Sequence, residues 1–146
     1  MGDDHHPIYA AFLRSGAPLA MTGPLAEALK GEVLDIDREA GTALLAFEPG
    51  GQFLQGAGVI QGGMVGVMLD FAMALAAFGR LSPGRSFGTV SLTTHFLKPT
   101  LPGRHLARAR LDRMGARMIF ASAELFRDGA EIRIATATAV MAISGG

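Results

Sequence analysis

The sequence predicts an α+β fold in which one long apolar helix is wrapped by a curved antiparallel sheet of about six strands. Three observations carry this reading. Residues 62 to 79 are rich in Ala, Met and Leu, have no internal proline and hold a single ionisable side chain, Asp70, which favours a helix surrounded by protein. Two extended runs precede that stretch and about four follow it. The later runs are joined at Gly115-Ala116 and Asp128-Gly129, and the second pair is a strong hairpin signal. At 146 residues the chain suits one domain, 1–146, long enough to bury a core.

Taken in order, Pro7 to Arg14 can form a short helix. Thr22-Gly23-Pro24 before Leu25-Ala26-Glu27-Ala28-Leu29 supplies a capping residue and an early proline for a second one, so residues 7–29 form a short helical extension. Glu32 to Asp37 and Thr42 to Glu48 read as a hairpin about a Gly-containing turn, ended by Pro49-Gly50-Gly51. After the long helix, Ser82-Pro83-Gly84 makes a turn. In Gly88 to Leu97 the residues Val90, Leu92, Thr94 and Phe96 alternate with Thr89, Ser91, Thr93 and His95, giving one apolar and one more polar face. Pro99 to Gly103 breaks that strand, and Leu106 to Met114, Met118 to Arg127 and Glu131 to Ile143 follow as further strands.

Charge and composition narrow the function classes. Basic and acidic residues number 13 each, so nothing favours a polyanion and no nucleic-acid partner is expected. The absence of cysteine excludes a disulfide framework, a thiolate nucleophile and a Cys-based metal site. Met1-Gly2-Asp3-Asp4-His5-His6 is acidic and polar where a signal peptide would be basic and then apolar, and a cytoplasmic location is expected. The apolar stretch from Met64 to Phe78 is shorter than the roughly 20 residues of a membrane span and carries an acid at its middle, so a buried soluble helix is expected and no membrane partner. A charged fraction of 18% against a hydrophobic fraction of 49% predicts surface hidden by self-association, hence a homo-oligomer.

Few residues are candidates for chemistry. Asp70 stands first, because burying an unpaired carboxylate costs several kcal/mol and something must compensate or use it. Either it is paired with a cation or caps backbone, or it is a base or nucleophile with a perturbed environment. Directly before the helix, Gly58-Val59-Ile60-Gln61-Gly62-Gly63 reads as an ordinary glycine turn or as a place where first-turn N–H groups hold a developing oxyanion. His5 and His6 have no third ligand at useful spacing, so no metal site is expected. His95, on the polar strand face, reads as a structural or surface histidine.

At this point a resemblance becomes specific. Gln55-Gly56-Ala57-Gly58-Val59-Ile60-Gln61-Gly62-Gly63, then Leu69-Asp70, Thr89, Phe96-Leu97-Lys98-Pro99 and Gly103 resemble the PaaI-type (phenylacetic acid degradation) branch of the hotdog thioesterases, over roughly residues 30 to 143. The resemblance implies hydrolysis of an acyl-CoA thioester, with no cofactor beyond the coenzyme A of the substrate. Gly62 would polarise the thioester carbonyl through its N–H, with Gly63 beside it. Asp70 would act as general base or nucleophile, and Thr89 would orient the water or the Asp. The family's Asn falls on Gln55 and its His on Gln61, and a neutral Gln donates and accepts hydrogen bonds but takes up no proton. Those two replacements support an alternative, a hotdog protein that binds a thioester without turning it over. A hydratase or dehydratase is disfavoured, because no His and acid pair stands at the helix start.

Arg80, Arg85, Lys98 and Arg104 flank the expected mouth and either meet CoA phosphates, as assigned here to Lys98 and Arg85, or are solvated surface charge. Met64, Met68 and Met73 read as core filling or as lining of an acyl tunnel. Gly62 and Asp70 are eight positions apart, roughly 12 Å along a helix rising about 1.5 Å per residue. A reacting carbon must lie about 3 to 3.5 Å from its attacker, so one chain's pair is poorly placed. An antiparallel neighbour would bring its own Asp70 beside this Gly62, which predicts two shared sites in a homodimer, with a dimer of dimers as the next level.

Overall fold

A computed structural model of the chain describes residues 5–145. The residues before His5, part of the polar N-terminus discussed above, lie outside it. The described elements run α1 (Pro7–Ser15), β1 (Leu19–Ala20), α2 (Pro24–Ala28), β2 (Glu32–Asp37), β3 (Thr42–Phe47), a 3-10 turn (Gly51–Phe53), α3 (Gly62–Arg80), β4 (Arg85–Phe96), β5 (His105–Met114), β6 (Met118–Arg127) and β7 (Arg133–Gly145). The strands form one sheet in the order β1-β2-β3-β5-β6-β7-β4, and every neighbouring pair is antiparallel. This is the hotdog arrangement. The sheet has seven strands where about six were expected. The addition, β1, pairs only Leu19 with Val33 and Ala20 with Glu32, too short a run for alternation to reveal.

The sheet curls around α3 because its inward rows are small. Ala107, Ala109, Ala121, Ala123, Ala135, Ala137 and Ala139 are all buried and let the strands approach, while Met68, Leu69, Ala72, Met73 and Leu75 of the helix fill the space between them and Leu45, Phe47, Ile119, Leu125 and Met141. Met68 and Met73 are therefore core filling, whereas Met64 is only partly covered. Among the described residues α3 is the one helix long and apolar enough to cross a membrane, but 10 of its 19 residues are buried inside the fold and it serves as the core helix.

The β2–β3 end of the sheet and α1 are both tied to the last turns of α3. Asp37 accepts from the Ala40 N–H (3.0 Å) in the β2–β3 turn, and Arg80 donates from the last turn of α3 to the carbonyls of Arg38 (2.8 Å) and Glu39 (2.5 Å). The α1 helix buries Tyr9 and Ala10, and its N-cap His6 accepts from the Ile8 N–H (3.4 Å) while lying 4.1 Å from the Phe78 ring.

Two expectations about this core need correction. The helix is not covered all round: Met64, Val67, Phe71 and Ala74, at steps of three and four residues, form a partly exposed stripe, and Asp70 lies beside it. The simple alternation read into β4 is also broken. Thr89 pairs with Met141 and Ser91 with Val140, so Val90 is the extra residue of a β-bulge. Past the bulge Leu92, Thr94 and Phe96 pair with the buried Ala139, Ala137 and Ala135 and share the helix-facing side, and before it Thr89 pairs with buried Met141 on that same side. The bulge thus moves Thr89 off the polar face shared by Ser91, Thr93 and His95.

His105 is fully buried at the head of β5, with Nδ1 2.9 Å from the Gly103 carbonyl and Nε2 without a partner. Burial lowers its pKa, the positive Arg127 lowers it further, and the bond to Gly103 opposes both. Burial also lowers the pKa of His6. An unfolded chain therefore takes up these protons first, so their contribution to stability is complete above the usual imidazole value near 6.5 and is lost as pH falls below it. Melting temperature is expected to drop between pH 7 and pH 5, and His105→Asn should flatten that slope; thermal scans across this range check it, and an unchanged slope would place the pH dependence on other groups.

Candidate active site at the start of the central helix

The first turn of α3 presents unfilled donors. Gln61 is the N-cap, in extended geometry, and its side chain caps nothing. The Met64 N–H reaches the Gln61 carbonyl (2.9 Å), but the N–H groups of Gly62 and Gly63 find no acceptor among the described residues. Together with the positive end of the helix dipole they make a place for an oxygen that gains negative charge. The loop in front is held by Ile60 N–H to the Thr100 carbonyl (2.8 Å) and Gln61 N–H to the Phe53 carbonyl (2.8 Å).

A groove of about 390 Å³ opens beside this turn, lined by Gln55, Ile60, Gly62, Phe96, Lys98 and the buried Thr100 among others. The structure thus brings Gln55, Gly62 and Lys98 to one opening. The Gln55 Oε1 accepts from the Ala57 N–H (2.9 Å) and steadies its own turn, which commits the carbonyl end of that side chain and leaves its amide N–H groups without an acceptor among the described residues.

Along the helix, Gly62, Gly66 and Asp70 follow one another at four-residue steps and face β4. A Cβ on Gly62 would come 3.1 Å from the Phe96 ring, and one on Gly66 would meet Thr94 Oγ1 at 3.5 Å and Leu92 Cδ2 at 3.8 Å. At Gly62 the missing side chain leaves room for the Phe96 ring, while at Gly66 a Cβ would meet the strand's side chains at ordinary contact distance. At the third step Thr89 Oγ1 donates to Asp70 Oδ1 over 3.0 Å. Asp70 is partly exposed rather than buried, and no cation pairs with it among the described residues. The structure therefore removes the ion-pair reading of this carboxylate and the desolvation argument that first drew attention to it. What remains is an oriented acid whose second oxygen is free.

Other candidates are placed elsewhere. Arg80 is engaged with the β2–β3 turn at the far end of α3, and Arg104 bridges Glu32 (2.8 Å) and Asp128 (3.0 Å), so both are structural ties. Arg85 begins β4 at the end opposite Phe96 and donates to the Ala116 carbonyl (3.2 Å). His95 lies on the outward face with Thr136 and Thr138, in a groove of about 450 Å³ that also holds Arg108 and Glu124, away from the helix. His5 meets Arg38 (2.6 Å) and the edge of Tyr9. Sequence reasoning passed over Phe96 as a wall of the site and Thr100 as the anchor of its front loop; the one signal for Phe96 was its place in the Phe96-Leu97-Lys98-Pro99 run.

The profile of the thioesterase superfamily matches residues 57–133, the span that holds the helix, most of the groove lining and the three strands β4 to β6. Among solved structures, a phenylacetic acid degradation-related protein from Ralstonia eutropha is similar at 35% identity, over 92% of this chain and 98% of that one, with a TM-score of 0.81. A thioesterase family protein from Silicibacter pomeroyi aligns at 27% identity over 95% and 96% of the two chains, TM-score 0.79. The PaaI protein from the phenylacetic acid degradation operon of E. coli shares the fold at 22% identity, over 94% and 91%, TM-score 0.76. No curated protein matches the chain. Unfilled amides at a helix start, a carboxylate two helical turns on, and a matched span that covers both lead to one assignment: the chain belongs to the thioesterase superfamily, in its PaaI-like hotdog branch.

Proposed function

We propose that the chain hydrolyses acyl-CoA thioesters at two sites shared across a homodimer. The observation that carries this reading is the separation within one protomer of the two groups the reaction needs. The unfilled Gly62 N–H and the Thr89-held Asp70 lie on one helix stripe, about 12 Å apart by helical rise.

A second copy closes that gap. The β4 strand is an open sheet edge twelve residues long, with Val90 (65%) and Phe96 (57%) exposed, and the uncovered stripe of α3 lies alongside it. Antiparallel pairing of two β4 edges sets the helices side by side and covers both surfaces. Phe96 faces Gly62 and Thr89 serves Asp70, so a two-fold axis midway between them brings Asp70 of the partner subunit to Gly62. The same axis sets Arg85 of the partner subunit beside the segment that carries Lys98.

In that arrangement the Gly62 N–H, flanked by Gly63, holds the thioester oxygen while Asp70 of the partner subunit either removes a proton from a water whose oxygen attacks the carbonyl carbon, or attacks that carbon itself to form a mixed anhydride that water then cleaves to the free acid and the regenerated carboxylate. In either course the first attack breaks the carbon–sulfur bond and the thiolate leaves, taking up a proton. Gln61 and the amide of Gln55 orient the acyl carbonyl and the water by hydrogen bonds without exchanging protons. Lys98 and Arg85 meet the phosphates of CoA. No cofactor is required. The Gln replacements leave the binding-only reading as the alternative, and steady-state release of free thiol from a panel of acyl-CoAs separates the two: absence of release with saturable binding would select binding.

Three outcomes are expected. Asp70→Asn should lower turnover by at least about 10²-fold with little change in melting temperature, since no buried charge loses a partner. Normal turnover in this variant sinks the catalytic assignment. Thr89→Val removes a bond to a carboxylate and should cost about tenfold in kcat, with Thr89→Ser restoring it and KM little altered; failure of Ser to rescue would make Thr89 a packing residue. Light scattering should give the mass of two or four 15.2 kDa chains, and Leu92→Lys on the β4 edge should lower both mass and turnover together. A fully active monomer refutes the shared site.

A further inference from the structure

We infer that the outward face of the sheet holds a binding site for a small organic phosphate, separate from the thioester groove. Residues on that face fall in register across the strands. One row runs Arg108, Glu124, Thr136 and His95 over β5, β6, β7 and β4, and the next runs Arg110, Ser122 and Thr138. A bulge adds a further residue. Leu125 pairs with Ala135 but Phe126 with Arg133, so Ile134 is the extra residue in β7 and Arg133 turns to the face of Thr136. All of these outward residues line one groove of about 450 Å³, a volume within the range of small-molecule sites, about 300 to 1,000 Å³.

Charge says which kind of ligand fits. Three arginines meet here and two acids answer them: Glu124 accepts from Arg108 (3.1 Å), and Asp112 accepts from Arg110 (3.0 Å) and from Ser122. Arg133 is exposed and no carboxylate pairs with it among the described residues, so the face keeps one uncompensated guanidinium. Arg108 lies over the Phe126 ring, 4.7 Å from its centroid, and Phe126 is the strand partner of Arg133. Two guanidinium groups are thus gathered around one ring, one of them held in place by it, beside the hydroxyls of Thr136 and Thr138. A carboxylate is served by one guanidinium fork, whereas a phosphate monoester brings more charge and three acceptor oxygens, enough to engage both arginines and a hydroxyl together. The thioester groove shares no lining residue with this one, and its wall Phe96 follows His95 in β4, where consecutive side chains point to opposite faces.

The test is calorimetric and does not depend on turnover. At a fixed ionic strength of about 0.15 M, glucose 6-phosphate is compared with glucuronate and glucose, its carboxylate and neutral counterparts. Glucose 6-phosphate should bind saturably, one per chain, at least about tenfold tighter than glucuronate, and glucose should give no signal. Arg133→Gln changes an exposed side chain without a partner, so it should leave the melting temperature unchanged and weaken glucose 6-phosphate about tenfold; Thr136→Val should weaken it about threefold. Both variants should hold acyl-CoA within about twofold, read as KM, or as a calorimetric Kd if the chain does not hydrolyse it. Glucuronate bound as well as glucose 6-phosphate overturns the assignment to phosphate. Heat that never saturates, or that is the same in Arg133→Gln, reduces the effect to an ionic atmosphere and overturns the site. Equal weakening of acyl-CoA and glucose 6-phosphate would make the groove part of the thioester site, and no binding at all would mean that the face is closed to ligand; either result overturns the proposal and leaves the hydrolase reading standing.

Discussion

The close approach of β4 to the glycine stripe of α3 is the constraint on which the rest of the site depends. With no side chain at Gly62 or Gly66, Phe96 and Thr94 come into van der Waals range of the helix backbone, and the strand runs along the helix until Thr89 reaches Asp70. A Cβ at Gly62 would come 3.1 Å from the Phe96 ring and force it to shift, and one at Gly66 would take up the contact distance to Thr94 and Leu92. The same approach walls the uncapped first turn of the helix on one side with an aromatic ring, and Gly62 lines the groove beside it.

That contact also explains why the protomer looks unfinished. β4 is the last strand on its side of the sheet, and its outer edge offers a long row of backbone groups that a solitary chain would leave to solvent. Next to it the helix shows apolar side chains at Met64, Val67 and Phe71. At the other end of α3, α1 lies across it, His6 and Phe87 contact Phe78, and Arg80 ties off the β2–β3 turn.

Most of the fold was legible because its signals are local and periodic. The apolar run that became α3, the hairpin around Gly41, and the strands after Gly103 each carry their own composition and turn chemistry. β1 was not legible, since a strand of two residues has no period. Asp70 was singled out by a mistaken premise: its isolation in an apolar sequence implied burial, whereas sequence neighbours say nothing about which face of a helix is left uncovered. Arg80 and Arg104 were placed near the mouth by their position in the chain, but long side chains report where they end only once the turns they reach are known. The pairing of Gly62 with Phe96 joins residues far apart in sequence, and no local pattern encodes it.

The bulge at Val90 means that β4 is written in two reading frames. Residues before it and after it reach the helix with opposite parity, odd-numbered Phe87 and Thr89 on one side of the break and even-numbered Leu92, Thr94 and Phe96 on the other. A gain or loss of one residue within the strand therefore does not merely shorten or lengthen it; it exchanges the inner and outer faces of everything on one side of the change. Substitutions can accumulate in this segment, but its length is fixed. Removal of the extra residue would turn Thr89 from the helix toward solvent and part it from Asp70.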